Sequence, residues 1–384
     1  MSRVAISRDV LQWAVKRSGA SPESFEEKFP KIGQWLTGDS QPTLRQLESL
    51  ARTTRTPLGF LFLTEPPEEQ LPIPYFRTHG EESRSRPSPE LFDTIHVMQQ
   101  RQAWMREYLT EEAQERLSIV RFARPDESAT SIANSIRHEL GLDEGWAAAQ
   151  RTWTDALRVL RDVMESARIL VVFNGVVGNN THRKLDPSEF RGFVLVDEYA
   201  PLVFVNGADS KAAQMFTLAH ELAHLAYGSS AAFDLREMLP ADDSTEQACN
   251  RVAAEFLLPG HEVRQSWPSA RNADEPFQVL ARQFKVSVLV AARRVLDLGL
   301  IPKTAFLEFY RAYPEDERRA AGDQPGRGDF YANQNVRVGK RFAQAVIRAA
   351  SEGKLLFSEA YRLTGLHGAA FSRYAALLKA EGTR

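Results

Sequence analysis

Apolar positions in this chain follow a helical period, switch to short β-type runs near the middle, and return to helical spacing. The first sixty residues predict short helices over 8–17, 22–29, 30–36 and 42–52, punctuated by Ser-Gly, Pro and Gly38. Leu91, Ile95, Met98, Met105 and Leu109 fall at helical spacing, interrupted by Gln102, and further helices are expected over 131–140 and 152–167. The β-branched and aromatic runs 169–173, 190–196 and 202–205 predict a small sheet. Helices then follow over 211–227, over 245–258 with a stop at Pro259-Gly260, and as a pair across 277–300 joined at Lys285-Val286-Ser287. The last expected helices cover 338–352 and 358–363, after a Gly/Pro break at 323–329. The fold class these elements predict is α+β, mostly helical.

At 384 residues the chain exceeds one ordinary core and implies two to four modules. The stretch 65–90 is rich in Pro, Glu, Ser and Arg, which marks it as a connector. The expected division is a helical module at 1–64, a connector and linking helix at 65–130, a central domain at 131–302, and a C-terminal helical segment at 303–384.

Composition narrows the function by exclusion. Apolar residues at 43% and charged residues at 26% argue against a disordered chain or a fibre. No apolar run nears the roughly 20 residues needed to cross a bilayer, and the N-terminus lacks a signal peptide's apolar stretch, so the expectation is a cytoplasmic protein with no membrane partner. A formal charge of −2 gives no global attraction to nucleic acid. The single cysteine, Cys249, excludes an intrachain disulfide and a cysteine-based zinc site, leaving His, Asp and Glu to hold any metal. A buried, unreactive thiol is the expectation for Cys249 itself.

The informative string is His220-Glu221-Leu222-Ala223-His224. Two positions four apart on a helix differ by only about 40° around the axis, so both imidazoles can grip one ion. Met215, Leu218, Leu222 and Leu225 form a separate stripe, which predicts one buried side and a histidine side facing a cleft. Glu221 is placed to take a proton from an attacking water. A catalytic zinc site keeps three protein ligands and one open position, so a third ligand is sought downstream. Asp234, Glu237, Asp242, Asp243, Glu246, Glu255 and His261 are the candidates. Ser244-Thr245-Glu246-Gln247 reads as a capping box that puts Glu246 in the first turn of a helix, where it either points at the histidines or merely complements the helix dipole.

These residues resemble the ImmA/IrrE zinc metallopeptidases. The family pattern has a strand ending in Asn, then F-T-L-A-H-E-L-x-H-L, then an acid followed by x-x-(A/C)-N and an apolar run ending in Pro. Here those parts read VFVNG at 203–207, FTLAHELAHL at 216–225, and EQACN at 246–250 through Pro259. The resemblance implies a zincin-like peptidase domain binding Zn2+ through His220, His224 and Glu246, with Glu221 as general base. It also implies that the strand at 190–196 is the sheet edge to which an extended substrate adds. Gly228 departs from the pattern, many members having a histidine there.

The N-terminal module resembles an Xre-type helix-turn-helix in which 30–36 would be the recognition helix, offering Lys31, Gln34 and Thr37 to DNA. Nine basic side chains against six acidic ones give that module a modest positive excess. Its other reading is a degenerate module kept for homodimer formation or partner docking. The segment 57–78 resembles the joint between such modules and the peptidase domain, with Tyr75 where an acid is common. Residues 277–300 resemble the element that closes these domains. Arg293 and Arg294 within it are expected on a solvated helix face. The C-terminal segment resembles the tails of longer members encoded beside toxin-like nucleases. The implied activity is proteolysis of a helix-turn-helix repressor or an antitoxin-like protein, controlling a stress, mobile-element or toxin response. The alternative is a DNA-binding regulator or antitoxin that acts by binding.

Overall fold

The computed structural model describes residues 3–18, 22–69, 71, 75–76, 87–229, 231–233, 244–313 and 330–382. The chain divides into two compact units, one of residues 1–72 with 81–93 and one of residues 73–80 with 94–384.

In the first unit α1 (Arg8–Arg17), α2 (Pro22–Lys28), α3 (Ile32–Thr37) and α4 (Leu44–Thr54) are followed by a 3-10 turn at Leu58–Phe62. Their core gathers Val10, Leu11, Trp13, Phe25, Phe29, Trp35, Leu47, Leu50 and Leu61. Gly38 ends α3 in the left-handed conformation that glycine tolerates without a Cβ penalty. Thr43 and Gln46 form a reciprocal capping box at the start of α4.

The second unit is mostly helical around one small sheet. Its helices begin with α5 (Pro89–Glu111), whose N-terminus lies in the first unit, α6 (Ala129–Glu139) and α7 (Trp153–Ser166). The five apolar positions anticipated in α5 are all buried. Gln102, the polar interruption among them, donates to the carbonyls of Leu195 and Ala200 at 2.7 and 3.0 Å. The strands are β1 (Tyr75–Phe76), β2 (Leu170–Asn174), β3 (Val176–Val177), β4 (Asn180–Lys184), β5 (Gly192–Leu195), β6 (Leu202–Asn206) and β7 (Ala231–Phe233). The main sheet runs β1-β7-β5-β6-β2, and β3 and β4 form a separate hairpin. In it β2 is parallel to β6, β5 is antiparallel to both β6 and β7, and β1 is parallel to β7.

Against this sheet lies α8 (Lys211–Tyr227), capped by the Ser210 side chain. Every residue from Gln214 to Ala226 is buried, so the expected one-sided burial does not hold. The histidine side is covered too, because α9 (Ser244–Leu257) packs along it. Arg137 of α6 fixes the end of α9 by donating to the carbonyls of Glu255 and Phe256 at 3.0 and 2.9 Å. The chain then continues through α10 (Gly260–Ala270), α11 (Pro276–Phe284) and α12 (Val288–Asp297). Lys285, in the left-handed region, makes the expected break between the last two.

Beyond α13 (Lys303–Ala312), the described chain resumes at α14 (Phe330–Gln334) and a π turn at Asn335–Gly339. It ends with α15 (Lys340–Ser351), α16 (Phe357–Thr364) and α17 (Gly368–Gly382). The buried Arg101 guanidinium of α5 ties this region down through the carbonyls of Leu363 and Arg337 at 2.9 and 3.0 Å.

Two expectations about the second unit are corrected. The strand within 190–196 is not an edge: β5 sits between β6 and β7. Arg294 is not on a solvated face. It is buried, bonded to the Leu258 carbonyl at 2.9 Å and ion-paired with Glu255, a pairing that offsets the cost of removing its charge from water.

Candidate metal centre

The helical spacing of α8 brings His220 and His224 together with their Nε2 atoms 3.0 Å apart. Glu246, in the first turn of α9, approaches from the neighbouring helix. Its carboxylate oxygens stand 3.2 Å from His220 Nε2 and 3.1 Å from His224 Nε2. All three side chains are at least 98% buried. Donors at 2.0–2.2 Å from a tetrahedral ion stand roughly 3.4 Å from one another, so this triangle is close to the size one divalent cation needs.

The surroundings of the imidazoles fit the same use. Nδ1 of His220 lies 3.1 Å from Asn250 Oδ1, and Nδ1 of His224 lies 3.0 Å from Ser229 Oγ. Asn250 Oδ1 is placed to accept from Nδ1–H of His220, an arrangement that would leave the Nε2 lone pair for a bound ion. Ser229 reaches His224 because Gly228 ends α8 at φ +76°, folding the chain back. A Cβ at residue 228 would also come within 2.1 Å of the Arg121 side chain, which accounts physically for a glycine there.

Burial lowers the His220 imidazole below its ordinary value, against the pull of Glu246. Burial works against ionisation of Glu246 as well, but hydrogen bonds and charge from both histidines outweigh it and bring its carboxyl to about 2. An ionised carboxylate is the donor form that a metal requires of Glu246.

Glu221 stands apart from this triangle. Among the described residues neither of its buried carboxylate oxygens has a hydrogen-bond partner, nor does the hydroxyl of Thr217 one turn earlier. Burial, and secondarily the Glu246 charge, push its carboxyl well above the usual carboxylate range. A Cβ built on Gly192 of β5 would lie 3.2 Å from Glu221 Oε1 and 2.5 Å from Thr217 Cγ2, so the sheet approaches this carboxylate only because residue 192 has no side chain. A buried base-forming group beside a cation-sized triangle of N and O donors is equipped for hydrolysis by an activated water.

The remaining candidates for a third ligand sort themselves. Glu255 accepts from the Gly260 amide at 3.1 Å and pairs with Arg294. His261 is exposed beside Glu144, at 3.2 Å, in a separate surface group with Glu262. Asp234, Glu237, Asp242 and Asp243 lie outside the described residues. In the first unit Lys31, Gln34 and Thr37 are all exposed and follow each other at helical spacing, while the Thr37 hydroxyl is 2.6 Å from Asp39. Asn250, Ser229 and Gly192 carry no role in the sequence reading. The signals available for Asn250 were its place in the acid-x-x-(A/C)-N pattern at 246–250 and its spacing of four residues from Glu246, which puts both on one helix face.

Comparison with known families agrees with this geometry. Residues 338–376 match a domain of unknown function, DUF8813. No curated protein matches the chain. Residues 164–296, which carry β2 to β7, α8 and α9, match the Peptidase_M78 model, the IrrE N-terminal-like domain, and this match supports the ImmA/IrrE family and an activity of the metallopeptidase type.

Proposed function

We propose that this chain is a cytoplasmic zinc-dependent endopeptidase whose peptidase domain occupies residues 131–302. His220, His224 and Glu246 would hold the zinc. The observation that carries this reading is the meeting of three buried donors within 3.2 Å beside the Glu221 carboxylate, which has no hydrogen-bond partner among the described residues. Zinc, when bound, would supply Lewis acidity, making water more acidic and a carbonyl more electrophilic.

The chain's own residues do the rest. Glu221 accepts the proton of the attacking water and returns it to the nitrogen of the departing amine, so one group serves as base and then as acid. Asn250 and Ser229 keep the imidazoles turned inward. The substrate we propose is a helix-turn-helix repressor or an antitoxin-like protein, with a toxin-like nuclease as a further partner.

A second reading is favoured by the exposed row of Lys31, at the N-cap of α3, with Gln34 and Thr37 on that helix. On that reading the first unit binds DNA or forms a homodimer, and the chain regulates by binding. Incubating the zinc-loaded chain with the repressor or antitoxin encoded beside it separates the two. Discrete fragments that disappear with Glu221→Gln support proteolysis, and neutralisation without fragments supports binding.

A further inference from the structure

Threonines within the helices of this chain follow one pattern. Thr54 and Thr364 are fully buried, and each donates to the carbonyl four residues earlier, at 2.9 and 2.8 Å. Thr53 and Thr110, which are more exposed, make the same bond at 2.9 and 2.8 Å. Such a back-bond satisfies the hydroxyl without help from any other element. Thr217 of α8 is as buried as Thr54, and the carbonyl four residues before it belongs to Ala213. Its hydroxyl makes no bond there and has no other partner among the described residues. A buried hydroxyl left without a partner costs stability, so the departure calls for a use.

One turn along the same helix face stands Glu221, whose two carboxylate oxygens also have no partner among the described residues. A Cβ on Gly192 would lie 2.5 Å from Thr217 Cγ2 and 3.2 Å from Glu221 Oε1, so the methyl of one and the carboxylate of the other border the same point of the sheet. Two χ1 rotamers are open to threonine on a helix, and rotation brings Oγ1 to the place that Cγ2 holds. We infer that Thr217 is a positioning residue, whose hydroxyl donates to the Glu221 carboxylate and keeps that group aimed at the metal centre. The role rests on the peptidase reading of the site. A bond to an ionised carboxylate is roughly twice as strong as one to a neutral carbonyl, which compensates for forgoing Ala213. Held at one oxygen, the carboxylate keeps the other free for the proton of an attacking water.

Crystals of the full zinc-loaded chain test the contact without any substitution. Thr217 Oγ1 within hydrogen-bond distance of a Glu221 oxygen is the expected result. Oγ1 on the Ala213 carbonyl, or away from Glu221 altogether, overturns the inference. Thr217→Val keeps the shape of the side chain and removes the donor. Its kcat for casein cleavage should fall about tenfold, with KM and zinc content unchanged, and Thr217→Ser should keep most of the rate. An unchanged kcat in Thr217→Val, or an equal fall in the Ser and Val variants, overturns the inference. So does a tenfold fall that persists when Thr217→Val is combined with Glu221→Gln, since the hydroxyl would then act through some other group. The contact seen in crystals of a zinc-loaded chain that cleaves no casein would support the orienting bond while removing the peptidase reading.

Discussion

His220 Nδ1 and Asn250 Oδ1 stand 3.1 Å apart, joining α8 to α9 immediately beside the candidate metal centre. Asn250 lies one turn beyond Glu246, so a single helix face carries both the third donor and the group that orients the first. Asn250→Ala is expected to weaken zinc binding about 10- to 100-fold, the usual consequence of removing such a partner. Competition against a chelator of known affinity measures it. An unchanged affinity would show that His220 needs no orienting group.

Glu221→Gln separates catalysis from metal binding. The substitution keeps the shape of the side chain and removes its capacity to take a proton. Cleavage is expected to fall by at least about a hundredfold, within the range general base catalysis supplies, while zinc stoichiometry stays at the unmutated value. Elemental analysis and a fragment assay on the same preparation provide the two readings.

Gly192→Ala introduces a Cβ where the Thr217 methyl would be 2.5 Å away and the Phe204 carbonyl oxygen 2.8 Å away. The backbone oxygen belongs to a paired strand and cannot move cheaply. A loss of about 1–3 kcal/mol in chemical denaturation is expected, as for other overpacked cores, with activity falling alongside it as Glu221 shifts.

Glu165 predicts a pH dependence away from the metal centre. Burial raises its carboxyl to about 7, outweighing the Arg161 charge and the backbone N–H groups of Lys340 and Arg341. Between 4.5 and about 7 the folded chain keeps this proton after the unfolded chain has released it. Stability from this group is therefore fully present below 4.5 and is lost as pH rises through about 7, by an amount on the order of 3 kcal/mol at most. Glu165→Gln should flatten that decline. The stability of the variant relative to the unmutated chain should increase from pH 4.5 to pH 8 in urea titrations. A difference independent of pH would show that Glu165 is ionised throughout.

The main helices and the three longest strands of the main sheet were legible because their apolar periods are long enough to distinguish helix from strand. The spacing of His220 and His224 follows from helix geometry, whereas the first-turn position of Glu246 rests on the Ser-x-x-Gln pattern at 244–247 and its choice over the other acids on the family resemblance. Three kinds of feature were hidden. Strands β1 and β7, of two and three residues, are too short to show a period. Helix α10 starts at Gly260, within the Pro-Gly pair that reads as a stop, because Pro259 at an N-cap can open a helix as readily as follow one. The interior place of β5 depends on β7, which is separated from it by α8, and local pattern carries no information about that pairing. Arg294 was misread for a related reason: its partner Glu255 lies 39 residues earlier.

X-ray absorption at the zinc edge, on the full chain purified with limiting zinc, tests the central claim most directly. One zinc per chain with two imidazole nitrogens and a carboxylate oxygen at about 2.0–2.2 Å, the oxygen contribution falling in Glu246→Ala and an imidazole lost in His224→Ala, is the predicted result. No stoichiometric zinc, or a coordination spectrum that neither substitution alters, would contradict it.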